Sequence, residues 1–152
     1  MFFRNPTPAA PPPAPSFAPP AGSAAHHPPA IILVVDDSAV IRSAVTKALQ
    51  SRQHVVHQAE NGRLGLELWE KHQDAIQLVV SDVFMPEMDG LSMAREIRRR
   101  SRTVPILLMS SKLDDNSRWV AEEAGFRLLP KPFKDELLLM LTDRLLRTPR
   151  PA

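Results

Sequence analysis

Asp36 and Asp37 directly follow the apolar run Ile31-Ile32-Leu33-Val34-Val35. Asp82 stands at the end of a second such run, Ser110 at the end of a third, and Lys131 just after a fourth, shorter one. Three carboxylates brought together repel one another, and their joint ionisation needs a positive partner. Hard divalent cations meet that need with oxygen ligands, and magnesium typically takes one or two carboxylates and keeps several waters. A lysine beside such a site neutralises an incoming phosphate as a point charge. A serine hydroxyl can donate a hydrogen bond to a phosphate oxygen, and a carboxylate held beside the metal can act as a nucleophile and form an acyl phosphate. The combined chemistry is phosphoryl transfer to Asp82, driven by alignment and charge neutralisation.

That chemistry requires the five side chains to meet, and the pattern of elements between them says how. Residues 31–35 read as a buried strand, and Ser38 is placed to cap a helix that carries Val40, Ile41, Ala44, Val45, Ala48 and Leu49. His54 to Ala59 reads as a second strand and Asn61-Gly62 as a turn, followed by a second helix that carries Leu64, Leu66, Leu68 and Trp69. Ile76 to Val80 is a third strand and Leu91 to Arg100 a helix after the Asp89-Gly90 turn. Val104 to Met109 is a fourth strand, and a helix from Asp115 to Ala124 stops at Gly125. A short strand from Phe126 to Leu129 and a helix from Lys134 to Arg147, packed through Leu137, Leu138, Met140, Leu141 and Leu145, complete the body. Five alternations of strand and helix predict a parallel sheet covered on both faces. In such a sheet ligands bind beyond the carboxyl ends of the strands, where the five residues stand.

Composition divides the chain. Ten of the sixteen prolines fall in residues 1–30, a stretch otherwise rich in alanine. Such a segment cannot bury enough apolar surface to offset its ordering entropy, so residues 1–29 are expected to be a disordered tail. Residues 30–148 form the expected domain, and residues 149–152 a short disordered end. Away from the two ends, at Arg4 and Arg150, acidic and basic residues balance at seventeen each, so overall charge gives nucleic-acid binding little support. With no cysteine there is no disulfide framework and no thiol catalysis. No apolar run is long enough for a secretory signal or a membrane span, and a cytoplasmic protein is expected.

Four segments together carry a family resemblance: Val-Val-Asp36-Asp37-Ser, Ser-Asp82-Val-Phe-Met-Pro-Glu-Met-Asp-Gly90, Pro-Ile-Leu-Leu-Met-Ser110-Ser and Leu-Pro-Lys131-Pro-Phe. In these the sequence resembles the receiver domain of two-component response regulators, over about residues 31–147. The resemblance implies an α/β fold, a three-layer flavodoxin-like doubly wound five-stranded parallel sheet of order 2-1-3-4-5. It implies that Asp82 is phosphorylated by a sensor histidine kinase or histidine phosphotransfer protein in the presence of Mg2+. Asp37 would ligate the ion directly, Asp36 through water, and the backbone carbonyl of Phe84 would complete the protein ligands. Lys131 and Ser110 would bind the phosphoryl group and throw the switch, with a cis peptide at Lys131-Pro132.

Three departures stand out. The family usually places an aromatic residue three before the lysine, where this chain has Leu128, and Phe126 could substitute in part. The Gly125–Lys131 spacing is one residue short, and Glu122 occupies a usually apolar helix position. Phe84 and Lys112 occupy the positions flanking the route of hydrolytic water, and neither aligns water well, so slow loss of the phosphoryl group is expected.

Other features have plainer readings. Arg98-Arg99-Arg100 suits a helix end, where cations offset the dipole. Trp69 and Trp119 fall at apolar helical spacing and read as core. His26-His27 reads as an unspecific part of the tail, and the tail itself as a spacer. The whole suggests a stand-alone receiver, not a true enzyme, that signals through a downstream protein target. The alternatives are a constitutive receiver-like scaffold, a small phosphatase with an aspartyl intermediate, and a phosphorelay intermediate.

Overall fold

The computed structural model describes residues 26–112 and 114–148. Of the tail expected at residues 1–29, residues 1–25 lie outside the described residues, as does the end expected at residues 149–152. Five strands, β1 (Ile31–Val35), β2 (Val55–Ala59), β3 (Leu78–Asp82), β4 (Ile106–Ser110) and β5 (Arg127–Pro130), form one parallel sheet in the order β2-β1-β3-β4-β5. The helices α1 (Ala39–Gln50), α2 (Gly62–His72), α3 (Gly90–Arg100), α4 (Asp115–Glu123) and α5 (Asp135–Arg147) alternate with them.

The apolar runs become strands because both of their faces are buried. Alternate residues supply the two sides of the sheet. Leu33, Val35, Val79, Ile106 and Leu108 pack with Trp69 of α2 and with Met93 and Ile97 of α3. Ile32, Val34, Val80, Leu107 and Met109 pack with Val45 and Leu49 of α1 and Leu138 of α5.

β3 begins two residues later than expected and takes in Ser81 and Asp82, because its pairing with β1 starts at Ile32 and Leu78. The expected turn at Asn61-Gly62 is instead a helix start. The Asn61 side chain accepts the Leu64 N–H at 2.8 Å, and Gly62 is the first residue of α2. Gly125 does end α4, with a left-handed φ of 83°.

Two apolar expectations fail. Trp69 is core, but Trp119 is 63% exposed on α4. On α5 the buried residues are Leu138, Leu139 and Thr142, while Leu137 and Met140 face outward. The adjacent leucines 137–139 made the periodicity ambiguous, and tertiary contact with β3 and α1 selects the buried stripe.

At the amino edge of the sheet the chain is held before β1 begins. The His27 N–H donates to the Asp143 carboxylate, and His26 Nδ1 lies 2.9 Å from the Arg52 guanidinium. Neither histidine is therefore idle. Buried His54 accepts the Ala30 N–H at Nδ1 (3.0 Å). Burial holds its pKa below the ordinary 6.5; nearby His27, Arg52 and His26 push the same way and Asp143 opposes them. A depressed folded pKa means that this stability is fully present above about pH 6.5 and is lost as pH falls through the folded value. Denaturant titrations across that window should show a loss of stability in the wild type. The slope should flatten in His54→Asn, whose Oδ1 can accept the same bond without titrating; equal slopes would refute the assignment.

Candidate functional site

The carboxyl edge of the sheet gathers the five residues singled out by type and position. Asp36 follows β1, with its N–H on Ala59 O (3.1 Å). Its carboxylate is fully buried: Oδ1 accepts the Ser38 N–H at 2.8 Å, and Oδ2 lies 3.2 Å from Lys131 Nζ. Arg42 of α1 donates to the Asp36 carbonyl at 2.7 Å, fixing the turn between β1 and α1. Asp37 beside it is exposed. Asp82, the last residue of β3, is 8% exposed. Its Oδ1 accepts the Val83 N–H at 2.9 Å and lies 3.3 Å from Lys131 Nζ.

Carboxylate oxygens of Asp36, Asp37 and Asp82 all lie within 4.8 Å of one another. One ammonium, that of Lys131, is thus shared between two carboxylates, with a third close by. Burial pushes the Asp82 pKa above its ordinary value; Lys131 pulls it down, and Asp36 pushes it up again. Three converging hard oxygen donors with an excess of negative charge fit magnesium, and the exposed Asp37 leaves a side open to solvent.

Ser110 ends β4, buried, one residue beyond Met109, the strand partner of Asp82. Its Oγ accepts the Lys112 N–H at 3.0 Å, and its carbonyl accepts the Lys131 N–H at 2.9 Å. The Lys131-Pro132 peptide is cis. Phe84 and Lys112 are both exposed near the cluster, on the loops after β3 and β4. Phe126, by contrast, stands before β5 at the opposite edge. It is buried beneath the Arg98 guanidinium, 5.6 Å from its ring centroid, and cannot serve Ser110. Leu128 pairs with Leu108 inside the sheet. Arg98 itself is half-buried, whereas Arg100 pairs with Glu70 and Arg99 with Glu96, as suits a helix end.

The residue that sequence reasoning undervalued is Gly90. Read as a turn, it is the first residue of α3, and its N–H donates to Val83 O at 2.7 Å. A Cβ there would stand 1.9 Å from the Asp82 carbonyl oxygen. Gly62 similarly meets Met88 O, which accepts its N–H at 3.1 Å, and Asn61 donates to Glu87 at 3.0 Å. The loop after Asp82 is thereby clamped between α3 and the start of α2. The signal was available in the glycine eight residues beyond Asp82, but spacing alone does not reveal a backbone approach.

Comparison with known proteins agrees with this geometry. Residues 32–143 match the family model described as the response regulator receiver domain. Over 112 residues the chain is 36% identical to the response regulator MprA of Mycolicibacterium vanbaalenii, covering 73% of this chain and 48% of that protein. Over 94 residues it is 39% identical to the sensor kinase CckA of Brucella abortus, covering 61% of this chain but 10% of that protein. The chain therefore spans about half the length, or less, of these relatives. Among solved structures it resembles the chemotaxis protein CheY4 of Vibrio cholerae with a TM-score of 0.71 and 32% identity, covering 77% of this chain and 98% of that one. Among the described residues no helix is long and apolar enough to cross a membrane. Motif, topology and converging carboxylates together establish that this chain belongs to the response regulator receiver family.

Proposed function

We propose that this receiver accepts a phosphoryl group on Asp82 from a sensor histidine kinase or a histidine phosphotransfer protein. The observation that carries this reading is the meeting of Asp36, Asp37 and Asp82 around Lys131. A carboxylate oxygen of Asp82 attacks the donor phosphorus as the bond to the donor nitrogen breaks, leaving an aspartyl phosphate. Lys131 neutralises the transferred group, and Ser110 exchanges its bond from Lys112 for one to a phosphoryl oxygen.

Asp37, Asp82 and the Phe84 carbonyl would hold Mg2+, with Asp36 acting through water because both of its oxygens already have partners. When bound, the ion supplies charge neutralisation for the carboxylates and the phosphoryl oxygens. The protein then works in the cytoplasm as a switch, and phosphorylation favours the form that binds a downstream protein.

The test is incubation with acetyl phosphate followed by intact mass measurement. One added phosphoryl group is expected with Mg2+ and none with chelator; no addition in either condition would refute the reading. A phosphorelay role is the second reading, favoured by the similarity to a sensor kinase. Label passing from the loaded receiver back to a phosphotransfer protein would select it.

Loss of the group should be slow. The exposed Phe84 ring and the Lys112 side chain offer no amide or carboxylate to align water. Acyl-phosphate decay is expected on a scale of many minutes or longer, and Phe84→Asn together with Lys112→Glu should speed it about a hundredfold, the lower end of what one positioned acid–base group contributes. A wild-type half-life of seconds would count against this role.

A further inference from the structure

At the amino edge of the sheet, opposite the acidic cluster, a pocket of about 180 Å³ lies where α3, α4 and α5 end. Arg98 of the last turn of α3, Arg102 of the loop before β4 and Arg127 at the start of β5 line it, together with Thr103 and Gly125. Among the described residues no acidic side chain lines this pocket. Elsewhere on the body Arg63, Arg99, Arg100 and Arg147 each reach a carboxylate. Among the described residues no carboxylate pairs with Arg98, Arg102 or Arg127. Glu122 and Glu123, in the last turn of α4, are exposed and reach none of the three.

Arg98 donates to the Ser101 carbonyl at 3.2 Å and covers the Phe126 ring. Those contacts fix its position but leave its charge uncompensated, and burial pushes its pKa below the ordinary value. The helix ends offset only part of the charge. A helix carboxyl end carries roughly half a negative charge, so three of them balance about one and a half of the three guanidinium charges. The remaining excess matches the charge of a phosphate group at neutral pH, about 1.5 to 2 of opposite sign. Guanidinium forks meet phosphate oxygens in pairs, and the Thr103 hydroxyl offers a further donor. Size points the same way. Pockets for drug-sized ligands start at about 300 Å³, and this smaller one suits an oxyanion group better than a ring system.

We propose that Arg98, Arg102 and Arg127 form a binding site for a phosphate or diphosphate group, free or at the end of a small molecule. The bound group ties the end of α3 to the start of β5. It lies at the far edge of the sheet from Asp82, so its binding requires neither Mg2+ nor phosphorylation.

The full-length protein is titrated with pyrophosphate in metal-free buffer at fixed ionic strength, and amide signals are followed by NMR. Those of Thr103, Gly125 and Arg127 should shift and saturate, while those of Asp36, Asp37 and Asp82 stay in place. Arg102→Gln together with Arg127→Gln, both at exposed sites, should weaken binding about tenfold or more, as expected for losing at least one charge-assisted hydrogen bond. The α1 signals of that variant should be unchanged. Arg98→Lys, which keeps the charge but removes the fork, should weaken binding as well. ADP as a second probe separates the sources: competition with pyrophosphate assigns a terminal group, and binding of pyrophosphate alone assigns the free anion. Absence of saturation, shifts scattered over the other arginines, shifts centred on Lys131, or equal affinity in the variants would overturn the proposal.

Discussion

Replacing Asp82 with asparagine is expected to abolish phosphoryl incorporation from acetyl phosphate completely, with mass spectrometry as the readout. An amide oxygen is no nucleophile for phosphorus, and no neighbouring carboxylate can take its place. Asp36 has one oxygen on the Ser38 N–H and the other on Lys131. Asp37 is exposed and lies outside the β3 frame that aims Asp82. The same substitution should raise the melting temperature in metal-free buffer. Burial and the Asp36 charge both disfavour the ionised Asp82, and the neutral amide removes that burden while Lys131 keeps Asp36. Loss of labelling together with gained stability cannot be ascribed to unfolding. Retained labelling in Asp82→Asn would move the phosphoacceptor elsewhere.

Gly90→Ala should be the most damaging small substitution near the site. The added methyl carbon would lie 1.9 Å from the Asp82 carbonyl oxygen and 2.9 Å from its carbon. Those are backbone atoms, so no rotamer change relieves the clash; either α3 or the end of β3 must move. Overpacking costs typically 1–3 kcal/mol, and a rigid backbone contact places this case near ~3 kcal/mol, roughly a 10 °C fall in melting temperature for a domain of this size. Labelling should slow as well, because the displaced atoms belong to the phosphoacceptor itself. Gly125→Ala is the control: its φ of 83° is strained for alanine, but nothing lies within 4 Å of the new carbon. Its cost should be about 1 kcal/mol, with labelling unchanged. Urea denaturation separates the two, and equal stabilities would mean that the clamp at Gly90 is looser than described.

Much of this was visible in the sequence because strand ends are sharp. An apolar β-branched run broken by Asp36-Asp37 has one reading, and alternation with helices puts such breaks on one edge. Asp36, Asp37, Asp82, Ser110 and Lys131 were legible for that reason. Helix faces were less so. Trp119 sits at an apolar spacing, yet α4 meets the rest of the body mainly through Ala121, so the indole stays in solvent. The role of Gly90 was hidden because close backbone approach leaves no trace in residue type beyond the glycine itself. The binding of His26 and His27 depends on Arg52 and Asp143, partners that no local pattern connects.

The outer strands of the sheet are short, five residues in β2 and four in β5. β5 ends in Pro130, which has no amide to donate, and opens with the exposed charge of Arg127. Such margins give a neighbouring molecule little to hydrogen-bond, so they guard against edge-to-edge polymerisation. Pairing through the β5 margin is thereby disfavoured, which keeps the sheet that carries the carboxylates out of intermolecular ladders.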